Sequence, residues 1–185
     1  MRLILASASP RRAALLAQGG FSYETRVPQV QEVLPAGVSA SAAAESLAQQ
    51  KGLAAERRAG ELLLAADTVV ALDGKLLGKP QDAEQAKAML RRLSGRTHTV
   101  STGVFLQSDT AQRIFSESTA VTFFPLSEAE IDAYVRSGEP MDKAGAYGIQ
   151  GFGALLVEKI EGDYNNVVGL PLAKTARIIK EMQRL

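Results

Sequence analysis

Residues 3–20 read LILASASPRRAALLAQGG, and the way that stretch divides decides what kind of fold the chain takes. Leu3-Ile4-Leu5 is a short apolar run of the kind a buried strand uses, and Ala6 extends it. It stops at a small polar joint, Ser7-Ala8-Ser9. Ser9 suits a helix N-cap and Pro10 the first helical position, and alanine and leucine then carry a helix to Gln18, where Gly19 ends it. A strand that runs straight into a helix opens an α/β unit. The joint also raises an electrostatic conflict, because Arg11 and Arg12 lie on the first turn, where the helix dipole is already positive. A bound anion resolves it: the free N–H groups, the Ser9 hydroxyl and the arginines then donate to phosphate oxygens. The competing reading is that Ser9 only caps the helix and both arginines are solvated. A Walker A loop is excluded, because its glycines and its Lys-Ser/Thr are missing.

Working outward, Phe21–Val27 alternates weakly as a second strand, followed by a proline-punctuated loop carrying Gln31 and Glu32. An alanine-rich helix is expected over Ser41–Arg58, with Ala44, Leu47, Ala54 and Ala55 inward and Lys51 one turn beyond Leu47 on the same face. Glu61–Leu72 reads as a strand, and Asp73-Gly74 is a two-residue hairpin turn into Lys75–Gly78. Asp82 and Gln85 suggest a capping box for a helix to Leu93, with Ala83, Ala86, Leu90 and Leu93 on one stripe and Gly95 closing it. Thr97–Leu106 and Arg113–Phe124 read as paired strands. Ser127 and Glu130 form a second capping box, for a helix with Ile131, Tyr134 and Val135 inward and Gly138 after its end. A strand over Ala154–Ile160 and a final helix opened by Pro171 complete the pattern. Helices alternate with strands and hairpins intervene, so the expected fold is α/β, a single domain over 1–185 with a mixed twisted sheet flanked by helices.

Composition narrows the function classes. The chain has 185 residues, 46% hydrophobic and 22% charged, which is ordinary globular material. A formal net charge of +1 argues against a general nucleic-acid partner, so anion binding must come from locally clustered charge. The chain has no cysteine and one histidine, His98, which excludes thiol nucleophiles, disulfides and multi-histidine metal sites. His98 sits on a strand that reads as half exposed and receives no role. No leader-like or membrane-length apolar run is present, so a cytoplasmic protein without a membrane partner is expected.

Several residues remain that can carry chemistry. Asp67, in Ala65-Ala66-Asp67-Thr68-Val69, is costly inside an apolar strand unless it is paired; it reads as a metal ligand or a base, or as a strand-end carboxylate bonded to an amide or a lysine. Lys51 either serves a site or snorkels from the core. Lys79 follows the hairpin that returns beside Leu64–Thr68, so it and Asp67 share a site or form a structural ion pair. Glu32 is a further carboxylate. The glycine-punctuated Asp142–Gly153 segment allows close backbone approach, and Gln150 offers a donor and acceptors suited to a base edge. Taken together, these residues describe a nucleotide-processing site.

The blocks Ser7-Ala8-Ser9-Pro10-Arg11-Arg12, Ala66-Asp67-Thr68-Val69, Gly78-Lys79-Pro80, Leu93-Ser94-Gly95, Asp142-Lys143-Ala144-Gly145-Ala146-Tyr147-Gly148-Ile149-Gln150-Gly151 and Asn166-Val167-Val168-Gly169-Leu170-Pro171 resemble, in order, the motifs of the Maf family. The resemblance spans essentially the whole chain. It implies a Maf/ITPase-like fold and a nucleoside triphosphate pyrophosphatase that releases a monophosphate and pyrophosphate, works with Mg²⁺ or Mn²⁺ and forms a homodimer. Carried over by motif, Asp67 is the proton acceptor. Ser9, Arg12, Lys51 and Lys79 hold phosphates, and Glu32 and Asp67 serve the metal. Arg11, Thr68 and Gln150 stand where the branch preferring dTTP and UTP carries these types; the branch for 7-methyl-GTP carries Trp, Gln and Glu. Gln31 departs from an acidic pair common in the family, which implies weaker metal binding. The rival readings are a 7-methyl-GTP or other modified-nucleotide enzyme of the same family, and a nucleotide-binding regulator of cell division without essential catalysis.

Overall fold

The computed structural model describes residues 1–34 and 37–184. Strand β1 (Arg2–Leu5) runs into helix α1 (Pro10–Gln18), with Ser9 at the N-cap and Gly19 at the C-cap, as the opening stretch dictates. Next come β2 (Tyr23–Thr25), α2 (Ala40–Ala54), β3 (Glu61–Leu72), β4 (Lys75–Leu77) and α3 (Ala83–Leu93). The chain continues through β5 (Thr97–Gln107), β6 (Gln112–Phe123), α4 (Glu128–Arg136), β7 (Val157–Glu161), the one-turn α5 (Tyr164–Val168) and α6 (Leu172–Met182).

The strands form one seven-stranded sheet in the order β2-β1-β3-β5-β6-β7, with β4 also on β3. β2, β1 and β3 are parallel to one another, and every other pair is antiparallel. The site follows from how β3 is flanked. One edge pairs continuously with β5, from Leu63 to Ala71. The other edge is covered by β1 only from Glu61 to Leu64 and by β4 only from Val70 to Leu72. Between them, Ala66–Val69 meet no partner strand among the described residues, and the α1 N-terminus lies beyond the end of β1. Parallel strand ends of this kind are where α/β sheets bind ligands.

The pleat of β3 sends alternate side chains to opposite faces. On one face Leu63, Ala65 and Val69 pack with Ala44, Leu47, Ala48 and Phe105 under α2. On the other, Leu62, Leu64 and Ala66 join Leu16, Val104, Leu170 and Ile179 beneath α1 and α6. A third cluster joins Leu90 and Leu93 of α3 to Val121, Phe123, Ile131 and Tyr134. Helix α2 lies close against the sheet because β5 has Gly103 beneath it. A Cβ there would stand 2.3 Å from the Ala44 carbonyl carbon, so any larger residue lifts the helix. Gly52 makes room for the Phe105 ring in the same way, which is why the inward stripe of α2 passes through Gly52 and leaves Ala54 exposed.

Four other expectations change. Helix α2 stops at Ala54 rather than Arg58, because the Arg58 amide bonds the Glu61 carboxylate at 2.7 Å and Arg57 reaches toward Asp109 at 2.5 Å. Ala83 is exposed on the first turn of α3, and Gln85 returns its bond to the Gln81 amide, one residue before the cap. Gly151–Leu156 is a 3₁₀ segment, so β7 begins only at Val157. Gly151 holds φ +65°, and a Cβ at Gly153 would lie 1.9 Å from the Gly148 carbonyl oxygen, so a straight strand there is blocked. His98 is buried at 2% exposure, with Nε2 2.7 Å from the Tyr147 hydroxyl and edge-on contacts to Phe123 and Tyr147. Burial pulls its pKa down to about 4, so it is neutral near pH 7.

Candidate active site

A cleft of about 610 Å³ opens at the uncovered edge of β3. Ser9, Arg11 and Arg12 line it from the start of α1, Asp67 and Thr68 from β3, Lys51 from α2, and Lys79 from the segment after β4. Gln150 and Gly151 line the far side with Asp142 and Lys143. Every site residue named from the sequence lies in this cleft except Glu32, which meets it at the rim through Lys51.

Asp67 and Thr68 are neighbours in sequence, and the pleat gives them different surroundings. Asp67 lies on the α2 face, where Lys51 Nζ bonds its Oδ1. The same ammonium is 3.2 Å from Glu32 Oε1. Gln50, the residue before Lys51, tethers the loop that carries Glu32: its amide accepts from the Val33 N–H and donates to the Val33 carbonyl, both at 2.9 Å. Asp67 is therefore paired with Lys51 and not with Lys79, and β4 returns beside Val70–Leu72 rather than Leu64–Thr68. Asp67 Oδ2 receives no bond from a described protein group, and the side chain stays 13% exposed toward the cleft.

Thr68 lies on the opposite face with Arg12. The guanidinium is 8% exposed and held three ways, by Nε to the Gly169 carbonyl at 2.9 Å, Nη1 to Ser7 Oγ at 3.3 Å and Nη2 to Thr68 Oγ1 at 3.1 Å. Burial lowers its pKa from the ordinary arginine value, while the charges of Asp67 and Glu32 oppose that shift and Arg11 adds to it. Arg11 is freer, with Asp142 Oδ2 at 3.8 Å as its anionic neighbour. The arginines on the first turn of α1 thus divide. One is fixed in the wall and the other faces the open cleft.

The far side is built by irregular backbone. Lys143 Nζ donates to the Glu139 carbonyl at 2.6 Å and to Asp142 Oδ1 at 2.7 Å. The Glu139 carboxylate accepts from the Phe152 and Gly153 amides at 3.0 and 3.3 Å, which fixes the turn presenting Gln150. Ser7, Glu139 and the carbonyl of Gly169 make contacts that residue type and spacing do not signal, although Ser7 and Gly169 lie within Maf-like motifs of the chain.

The donor chemistry fits a hard divalent cation. Glu32 and Asp67 bring two carboxylates to one point, and Mg²⁺ characteristically takes one or two carboxylates together with substrate phosphates rather than a full protein cage. No group of three or more His, Asp or Glu side chains that could hold a metal occurs among the described residues.

Comparison with known proteins gives the family of the chain. The family model described as Maf-like protein matches residues 2–182, and the chain belongs to the Maf family. It is 50% identical over 180 residues to a Bacillus pumilus protein named dTTP/UTP pyrophosphatase, covering 97% of this chain and 95% of that one. A Bacillus velezensis protein of the same name is 50% identical over 181 residues, covering 97% and 96%. The solved Staphylococcus aureus Ham1 protein overlaps 66% of this chain and 72% of its own, at 14% identity and a TM-score of 0.45.

Proposed function

We propose that this protein hydrolyses dTTP and UTP to the nucleoside monophosphate and pyrophosphate. The observation that carries the reading is the Asp67 carboxylate, with one oxygen on Lys51 and the other toward a cleft walled by Arg11, Arg12, Lys79 and Lys143. Asp67 takes the proton from the attacking water, as a carboxylate within reach of the reacting centre can. Water adds hydroxide to phosphorus, and the bond between the α- and β-phosphates breaks. Charge grows on the departing pyrophosphate. Arg12, already fixed in the wall, meets that charge with little reorganisation, and Ser9, Lys51, Lys79 and the α1 N-terminus add donors. Glu32 and Asp67 would hold the divalent ion, Mg²⁺ or Mn²⁺, which supplies charge neutralisation at the phosphate oxygens.

Substrate choice is assigned to Arg11, Thr68 and Gln150. The neutral Gln150 amide offers both a donor and acceptors, which suits the imide edge of uracil and thymine; a carboxylate there would suit a cationic methylated purine. A homodimer and a cytoplasmic location complete the proposal on the strength of the family. Light scattering of the purified protein tests the first.

The deciding experiment is pyrophosphate release from dTTP, UTP, 7-methyl-GTP and the other three common ribonucleoside triphosphates, ATP, GTP and CTP, with Mg²⁺ or Mn²⁺ and with chelator. Turnover concentrated on dTTP and UTP and abolished by chelator is the expected result. Preference for 7-methyl-GTP overturns the specificity assignment, and absence of turnover on every nucleotide overturns the enzymatic reading.

A further inference from the structure

We propose that Thr102 and Asn166, which do not line the cleft, are positioning residues for Arg12, acting through a chain of hydrogen bonds whose direction the structure fixes. The proposal rests on the hydrolytic reading above for its kinetic consequence, though not for the geometry itself.

The chain is read from its inner end. Thr102 Oγ1 lies 2.9 Å from the backbone carbonyl oxygen of Asn166. A carbonyl only accepts, so the single hydroxyl hydrogen of Thr102 points there. The 2.8 Å contact between Thr68 Oγ1 and Thr102 Oγ1 must then be donated by Thr68. Thr68 has no hydrogen left for Arg12, and it accepts from Nη2 at 3.1 Å. Arg12 donates to Thr68, Thr68 to Thr102, and Thr102 to the Asn166 carbonyl.

The inner end is firmly anchored. The Asn166 side chain accepts from the Thr102 amide at 3.0 Å and donates to the Val100 carbonyl at 3.0 Å and Thr119 Oγ1 at 2.9 Å. Thr102, Thr119 and Asn166 are each 0% exposed. Gly169, three residues beyond Asn166, takes the Arg12 Nε–H. The short segment containing α5 thus holds the guanidinium directly through a carbonyl and indirectly through the two threonines.

Two consequences follow. Three bonds leave two of the five guanidinium N–H groups for a ligand, and their direction is set before any nucleotide arrives. The rotamer freedom of a long side chain is lost in folding instead of in binding, which is the preorganisation that electrostatic catalysis needs. In addition, the only hydrogen of Thr68 is committed inward. Thr68 therefore influences substrate choice as part of the Arg12 mount and through the shape of the wall, not by donating to a base.

The test compares Thr102→Val, which removes the hydroxyl at nearly constant shape, with Thr102→Ser, which restores it. For UTP, Thr102→Val is expected to lower kcat/KM roughly 10- to 100-fold, mainly in kcat, as loss of alignment does. Thr102→Ser is expected to recover most of that loss. In an Arg12→Ala background Thr102→Val should cost nothing further, because the two act as one unit. A second readout needs no substrate: hydrogen exchange at the Arg12 Nε–H by ¹⁵N NMR, slow in the parent protein and at least several-fold faster in Thr102→Val. If Thr102→Val does not fold, Thr68→Val breaks the chain one link earlier and takes the same two measurements. Unchanged exchange, an equal loss in the Arg12→Ala background, or failure of serine to rescue would overturn the proposal. A parent protein inactive on UTP defeats the hydrolytic reading alone, and the exchange measurement still decides the positioning role.

Discussion

Strand β3 carries two acidic side chains on the same face, each paired with a cation, and their surroundings are opposite in kind. At its first residue, Glu61 meets Arg26 through two bonds, 2.6 and 2.7 Å, and also accepts from the Arg58 amide at 2.7 Å. Arg26 in turn donates to Glu24 at 2.9 Å and to the Glu56 carbonyl at 3.2 Å. Six residues on, Asp67 has Lys51 alone among the described residues, shared with Glu32. The first pair is saturated by protein and edges a corner of the fold. The second is left unfinished, with a free carboxylate oxygen and a mobile type of cation, where β1 and β4 leave β3 uncovered. A fork-on-carboxylate pair gives fixed geometry; an ammonium on a flexible stem can yield to a ligand. That unfinished pairing at the cleft is what supports Asp67 as the proposed proton acceptor.

The comparison breaks most sharply at Asp67. Asp67→Asn keeps the shape and removes the proposed proton acceptor, so kcat for UTP should fall by roughly 10³-fold or more. The melting temperature should stay within a few degrees, because Lys51 retains Glu32. A matched loss of stability would mean that Asp67 is a structural partner like Glu61.

A smaller effect is expected across the cleft. Gln150→Glu places a carboxylate where the proposal has the imide edge read, and kcat/KM for UTP and dTTP should fall on the order of tenfold or more relative to a cationic methylated purine nucleotide. Equal losses on all nucleotides would remove Gln150 from base recognition.

The smallest effect on turnover belongs to Glu61→Gln, which should leave activity per folded molecule unchanged while lowering the melting temperature. Its acid response sharpens the contrast. Hydrogen bonding to Arg26 holds the Glu61 pKa down at about 2, against an ordinary 4.5. A carboxylate depressed in the folded state contributes stability above its unfolded pKa and loses it as pH falls through the folded value. The Glu61 contribution is thus lost between about pH 4.5 and 2. Buried His98 acts at higher pH: the unfolded chain takes up its proton first, so stability declines as pH falls from 6.5 toward about 4. Other carboxylates held low by partners, such as Asp109 beside Arg57 and Glu128 beside Arg91, share the lower range, so in thermal unfolding Glu61→Gln should shrink the acid loss below about pH 4.5 and leave the loss between 6.5 and about 4 unchanged.

The sequence was most legible where chemistry is local. Ser9, Pro10 and Gly19 bound α1, Asp73-Gly74 turns the hairpin with both residues at positive φ, and Ser127 with Glu130 makes a reciprocal cap on α4. It was least legible where a glycine or a distant partner decides. The periodicity that continues α2 past Ala54 does not register that Arg57 and Arg58 are drawn toward Asp109 and Glu61. Alternation around His98 reads as half exposed, because burial there comes from Tyr147 and Phe123 on other segments.

By itself the amino-acid sequence determined the element order, the caps and turns, the family, and the set of side chains gathered at the cleft, since these depend on residue type and short spacing. Only the tertiary structure decided which of them touch. Lys51 reaches Asp67 because Gly103 lets α2 lie close against the sheet, and Arg12 is fixed by Gly169, 157 residues away. Such contacts depend on strand order, pleat and the seating of helices, and no local pattern of residues encodes those.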